Sequence, residues 1–70
     1  MALKKRSFSL SGHRTSVALE SEFWTVLESE ADSSNKSLAA LVADIDRNRG
    51  LHPLASALRL HALRTVSVAK

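Results

Sequence analysis

The sequence of 70 residues has no cysteine, one proline, two glycines and few aromatic side chains, namely two phenylalanines and one tryptophan. The absence of cysteine excludes disulfide bridges, thiolate zinc sites and a cysteine nucleophile. No apolar run approaches the roughly 20 residues that a bilayer requires, so we expect no membrane partner. The first six residues are basic without a long apolar stretch after them, which argues against a secretory signal and favours a cytoplasmic protein.

Hydrophobic residues make up 44% and charged residues 24% of the chain, which is typical of a folded soluble domain. A domain of this size buries only about 60% of its surface. Such domains usually depend on a disulfide, a metal or a second subunit. Because the sequence offers no disulfide, we expect a second copy of the chain to complete the core.

The net charge of +3 is unevenly distributed along the chain. Segment 1–19 carries four cations and no acid, 20–46 carries seven acids and one lysine, and 47–70 carries five cations and no acid. This separation favours one surface that faces a polyanion. A solvated surface that only keeps the protein in solution fits the charges about equally well.

The stretch 14–19 alternates polar and apolar residues, which predicts a strand with Val17 and Leu19 on its buried face. A weaker alternation precedes it and is interrupted by Gly12. We therefore interpret residues 1–13 as a basic arm or an extension of the strand. We expect no internal repeat in the chain.

Apolar residues at helical spacing predict a first helix that begins after Glu20 and includes Phe23 and Leu27. The polar stretch that follows Ala31 breaks this pattern. Asn35 is suited to the left-handed position of a tight turn.

Ser37 is expected to cap a second helix whose apolar stripe ends before Gly50. Pro53 suits the start of a third helix, which we expect to run to Val66. The chain then divides into an arm or strand extension at 1–13, a core at 14–50, a connector and third helix at 51–66, and a frayed tail at 67–70.

A single strand needs a partner for its backbone N–H and C=O groups. Because no second good strand follows residues 14–19, we expect this strand to pair with its own copy across a two-fold axis. The apolar residues of the strand and of the first two helices would then form a core shared by two chains. Its expected members are Thr15, Val17, Leu19, Phe23, Trp24, Leu27, Leu38, Leu41, Val42 and Ile45.

This order of elements resembles the ribbon-helix-helix superfamily, the fold of the Arc-type repressors. The block 12–17, the pair Phe23-Trp24 and the segments 37–46 and 56–59 resemble, more closely, a bacterial ribbon-helix-helix subfamily with few characterised members. The resemblance covers about residues 5–66. It implies a mainly α fold with one short strand per chain, in a homodimer with a two-stranded antiparallel intermolecular ribbon and an added third helix.

The resemblance also implies a function, namely sequence-selective binding of double-stranded DNA by a homodimeric bacterial transcriptional regulator at the nucleoid. The paired strands would enter the major groove, with Arg14, Ser16 and Ala18 on the outward face as base-reading residues. A guanidinium can bond the O6 and N7 atoms of guanine. Ala18 offers only a methyl group, which departs from relatives with three polar reading residues.

Contacts with DNA phosphates are implied at two places. In the family the start of the second helix holds a phosphate, which maps here to Ser37, Leu38 and Ala39, with Lys36 beside them. The N-terminal cations Lys4, Lys5 and Arg6 are expected to follow the DNA backbone without reading bases. A solvated arm explains these three cations about as well.

Other functional classes find little support. His13, His52 and His61 lack the spacing of metal ligands, so no metal or cofactor is predicted. No G-x-S-x-G motif is present, and the chain is too short for a substrate pocket, so we expect no enzyme. The alternative is a dimer of the same fold that binds a protein through Leu60 or Leu63 of the third helix, or an antitoxin-like module, with weak or no DNA binding.

Overall fold

A computed structural model describes residues 2–68 as one β-hairpin followed by three helices. The elements are β1 (Leu3–Leu10), β2 (His13–Glu20), α1 (Ser21–Ser33), α2 (Leu38–Asn48) and α3 (Leu54–Val68). Within this described range no helix has the length and apolar character needed to cross a membrane. The order of a ribbon followed by helices agrees with the predicted fold.

The hairpin pairs β1 with β2 in antiparallel register, with Ser7 directly opposite Ser16. Two residues connect the strands, and both have left-handed backbones, with φ of 52° at Ser11 and 80° at Gly12. Positive φ at both central residues fits a type I′ turn, whose twist matches that of two-residue hairpins. Gly12 adopts this conformation without a Cβ penalty.

The pairing partner of the predicted strand differs from the expectation. Residues 14–19 do form part of β2, but they pair with β1 of the same chain rather than with a second copy. The ribbon is therefore intramolecular here, and the chain contributes two strands instead of one. The alternation in β1 is hard to recognise because Lys4 and Arg6 occupy positions on its inner face, where apolar residues are expected.

The hydrophobic core is complete within one chain. Leu19, Leu27, Val42 and Leu58 are each 0% exposed. The residues expected to need a second copy for their burial are buried or half-buried without one, which corrects that expectation. The reason is that β1 and α3 supply the missing apolar side chains, namely Phe8, Leu10, Leu58 and Ala62.

The turns and caps of the helices follow the sequence closely. Asn35 has a left-handed φ of 56°, and the Ser37 hydroxyl oxygen accepts a hydrogen bond from the backbone N–H of Ala40 at 3.0 Å. Both predictions are confirmed. The helix α3 extends to Val68, so the predicted frayed tail begins inside this helix, and residues 69–70 lie outside the described part of the chain.

Trp24 fastens β1 to α1. Its indole N–H donates a hydrogen bond to the carbonyl oxygen of Lys4 at 2.8 Å, and its ring lies 5.9 Å from that of Phe8. The guanidinium of Arg6 lies over the same ring, 5.2 Å from its centroid, and forms an ion pair with Glu28 at 2.7 Å. These contacts hold the inner face of β1 on the helices, and they turn its other face to solvent.

Candidate nucleic-acid interface

The outward face of the hairpin carries short polar and basic side chains. Because side chains alternate along a strand, the residues between the buried ones point away from the helices. On β1 these are the exposed residues Leu3, Lys5, Ser7 and Ser9, and on β2 they are the exposed Arg14 and Ser16 and the half-buried Ala18 and Glu20.

The register arranges these residues in four rungs, of which Leu3 opposite Glu20 is the nearest to α1 and the other three carry the cations and the serines. Ser9 lies opposite Arg14, Ser7 opposite Ser16 and Lys5 opposite Ala18. The hydroxyl oxygens of the two central serines are 2.9 Å apart and share a hydrogen bond. The two cations therefore occupy diagonal corners of the ribbon, with their rungs about 13 Å apart at a rise of about 3.3 Å per residue.

The charges on this face differ from those on the helices. Lys5 and Arg14 form no ion pair with any residue between 2 and 68, and the same holds for Lys4 and Arg64. Most other described cations are paired with carboxylates. The pairs are Arg6 with Glu28, Lys36 and Arg47 with Asp44, Arg49 with Asp46, and Arg59 with Glu20.

Local pairing leaves most of the uncompensated positive charge of the described residues on the hairpin, which carries Lys4, Lys5 and Arg14, while Arg64 lies on α3. On the helices, a hydrogen bond from the Lys36 ammonium lowers the pKa of Asp44 from its ordinary value and outweighs the opposing effect of desolvation. The carboxylate thus stays charged and neutralises its neighbours. An anion that approaches the molecule meets free cations at the rungs of Lys5 and Arg14.

The three N-terminal cations predicted to follow the DNA backbone lie in β1, which places Lys5 on the outer face of the hairpin and Lys4 and Arg6 on the inner face. Lys5 points outward beside the predicted base-reading residues. Lys4 lies on the opposite side of the strand but remains exposed. Arg6 is held between Trp24 and Glu28, so its guanidinium fastens β1 to the helix.

The start of α2 combines free N–H groups, which attract an anion, with nearby carboxylates, which repel one. The Ser37 cap uses the N–H of Ala40, while the N–H groups of Leu38 and Ala39 have no partner among the described residues. Lys36 turns its ammonium to Asp44 at 2.5 Å. Glu28 and Asp32 border the same hollow, so two α1 carboxylates stand near the free amides.

A family model described as a ribbon-helix-helix domain matches residues 3–66 of the chain. The chain belongs to this ribbon-helix-helix family. Its members are typically DNA-binding regulators that act as dimers. No curated protein and no solved structure gives a significant match. The match over residues 3–66 confirms the predicted family.

The ribbon-helix-helix chain contains outward residues that sequence reasoning missed. The sequence pattern places Ser7 and Ser9 in the basic arm or strand extension at 1–13, and it predicts that Lys5 contacts phosphate rather than bases. The signal that identifies them is the pair Ser11-Gly12, since two turn residues between alternating stretches predict a hairpin.

The third helix extends the ribbon-helix-helix unit and packs beside β2 and α1. Arg59 forms an ion pair with Glu20 at 3.1 Å and lies over Phe23, while His61 lies 2.7 Å from the Glu30 carboxylate. Partial burial acts to raise the pKa of Glu30, but hydrogen bonds from His61 and Thr65 outweigh it and the pKa is lowered. The other side of α3 leaves Leu60, Leu63 and Val66 exposed.

Proposed function

We propose that this ribbon-helix-helix protein binds double-stranded DNA with the outward face of its hairpin in the major groove, as a transcriptional regulator. The observation that carries the proposal is a two-stranded ribbon with a polar outer face and two cations free of carboxylate partners. The major groove, about 12 Å wide, admits such a ribbon and displays a distinct pattern for each base pair. The protein would then act at the nucleoid in the cytoplasm.

Arg14 is the principal base-reading residue of the proposal. Its exposed guanidinium can bond two acceptors of one guanine, which a serine or alanine cannot do. Ser16 supplies a hydroxyl that donates or accepts and is less selective. Ala18, half-buried on the same face, offers a methyl contact to thymine.

Phosphate contacts are proposed on both sides of the ribbon. Lys4 is exposed at its margin, where an ammonium can approach the DNA backbone. The start of α2, with the free amides of Leu38 and Ala39, is a second candidate. In this arrangement Ser37 remains the cap, and Lys36 has to leave Asp44 to reach a phosphate.

The active form is proposed to be a homodimer of complete subunits. Because the core of each chain is closed, two copies would associate as folded units. Each ribbon would occupy one half-site, with the half-sites about 34–36 Å apart on the same side of the duplex. Arg6 contributes indirectly to each subunit, since it holds β1 on Trp24.

The test is a binding titration of the purified protein with labelled genomic duplexes across a salt series. We expect affinity to fall steeply with salt, since each neutralised phosphate adds about −0.9 to the logarithmic slope. Arg14→Ala is expected to lose about 1–3 kcal/mol on the preferred sequence and to relax base preference. The matched control is Arg64→Ala, which removes one exposed cation from α3.

Two results contradict the proposal. One is the absence of binding at about 50 mM salt, where electrostatic attraction to DNA is strong. The other is an equal loss on preferred and random duplexes for Arg14→Ala and Arg64→Ala, which makes Arg14 a nonspecific cation. Absence of binding would favour a second candidate, a protein-binding module that uses the exposed Leu60, Leu63 and Val66 of α3.

A further inference from the structure

The hairpin contains an internal repeat with an offset of nine residues. Segment 5–10 reads Lys-Arg-Ser-Phe-Ser-Leu, and segment 14–19 reads Arg-Thr-Ser-Val-Ala-Leu. Both follow the order cation, polar residue, serine, apolar residue, small residue, leucine. The matched pairs are Lys5 with Arg14, Arg6 with Thr15, Ser7 with Ser16, Phe8 with Val17, Ser9 with Ala18, and Leu10 with Leu19.

The matched residues also share their environments. Phe8 and Val17 are 8% and 5% exposed, and Leu10 and Leu19 are 6% and 0% exposed. Lys5 and Arg14 are both exposed, as are the two matched serines. The repeat is therefore present in the burial pattern of the hairpin as well as in its amino-acid sequence.

The register turns this repeat into a local two-fold axis. Ser7 lies directly opposite Ser16 in an antiparallel pair, so a two-fold axis between these serines relates residues 4–10 of β1 to residues 13–19 of β2, nine positions later. The axis runs perpendicular to the ribbon and places Lys5 and Arg14 at equivalent, diagonal corners. We call this relation the hairpin two-fold.

We infer that β1 holds, within one chain, the place that a second copy's strand takes in an intermolecular ribbon, so that a single chain reads a short imperfect palindrome. This inference rests on the proposed DNA binding and adds its substrate, a site with two similar halves. Lys5 reads one half and Arg14 reads the other. Where two chains associate on DNA, each brings a complete ribbon of its own.

The distance between Lys5 and Arg14 along the ribbon predicts the spacing of the two guanines in the DNA site. The rungs of Lys5 and Arg14 lie about 13 Å apart along the ribbon, which corresponds to about four base pairs at about 3.4 Å per step along a strand. Both arginine and lysine contact guanine through its O6 and N7 atoms. The hairpin two-fold therefore selects two guanines, one on each DNA strand, about four base pairs apart.

The experiment is a selection of bound sequences from duplexes with a randomised stretch, using the wild-type chain, Lys5→Ala, Arg14→Ala and the control Arg64→Ala. The wild type is expected to select two similar halves. Lys5→Ala should lose preference in one half only and Arg14→Ala in the other, by about 5- to 150-fold at the affected base. Arg64→Ala should retain both halves.

The stoichiometry is measured on the shortest selected duplex by sedimentation, where one chain per duplex is expected. The inference is overturned if Arg14→Ala weakens both halves equally, because a ribbon of two identical chains carries that residue once in each half. It is also overturned if a homodimer still binds one copy of the shortest duplex when the duplex is in excess, because a homodimer with two complete ribbons should bind two copies. If the wild type binds no duplex of the pool at about 50 mM salt, the proposed function itself fails, and the two failures are thereby distinguished.

Discussion

The two faces of the hairpin have the same backbone and opposite chemistry. On the inner face, Phe8, Leu10, Val17 and Leu19 are at most 8% exposed and pack on the helices. On the outer face most side chains are polar or basic, and the hydroxyl groups of Ser7 and Ser16 form a hydrogen bond across the two strands. The difference indicates that stability resides on one face and recognition on the other, so substitutions should separate the two properties.

The largest effect is expected from the inner face. Leu19→Ala removes a fully buried side chain and should lower the free energy of unfolding by about 2–5 kcal/mol through lost burial and the cavity that remains. Urea denaturation followed by circular dichroism measures this. The matched change on the outer face of the same strand, Ser16→Ala, should stay within about 0.5 kcal/mol. Similar losses for both variants would contradict the division between the faces.

The inner and outer faces were not equally accessible from the sequence. The alternation in 14–19 correctly assigns Val17 and Leu19 to the buried side, because the two large apolar residues of that stretch share one face. The same rule fails for β1, where Lys4 and Arg6 take inner positions. Arg6 is accommodated there by the ring of Trp24 and the carboxylate of Glu28, and no local pattern reveals contacts with residues so distant in the chain.

The candidate site was predictable only for one strand. Arg14 and Ser16 follow from parity once Val17 is assigned to the core. Lys5 and Ser7 require knowledge of the register, which a two-residue turn sets. The sequence predicts that a second copy is needed because the pattern of β1 does not reveal a strand, and Phe8 and Leu10 are then missing from the expected core.

A cross-strand disulfide tests whether the outer face belongs to one chain. The hydroxyl oxygens of Ser7 and Ser16 are 2.9 Å apart, so Ser7→Cys with Ser16→Cys should form a bridge after a small shift of the sulfur atoms. The closed loop of about ten residues should stabilise the fold by about 2.5 kcal/mol. Thermal unfolding with and without reductant measures this gain. Electrophoresis without reductant should show one chain, whereas a covalent dimer would place the two strands in different copies.

A smaller effect on the free energy of unfolding is expected at Arg6, the cation on the inner face of β1 that contacts Trp24. Arg6→Ala removes the contact with the Trp24 ring and the ion pair with Glu28. The loss of both contacts should lower the free energy of unfolding by about 1 kcal/mol. Lys5→Ala, one residue earlier and on the outer face, should leave stability unchanged and weaken DNA binding. Chemical denaturation and binding titrations of the two variants measure both properties. A reversal, with stability lost in Lys5→Ala alone, would contradict the structural role assigned to Arg6.

The smallest effect is expected at Glu20, where the hairpin meets α1. A backbone hydrogen bond at Glu20 and the Arg59 guanidinium lower the pKa of this carboxyl from its ordinary value of 4.5, against a smaller opposing effect of desolvation. Because the folded state has the lower pKa, the contribution to stability is complete above pH 4.5 and is lost as the pH falls below it. Glu20→Gln should therefore flatten the acid side of the stability profile, as measured by thermal unfolding between pH 3 and 6 at about unit intervals. The same variant removes the acid at the end of β2 and should bind DNA slightly more tightly at low salt. An unchanged pH profile would contradict a contribution of the ionised Glu20 carboxylate to the stability of the fold.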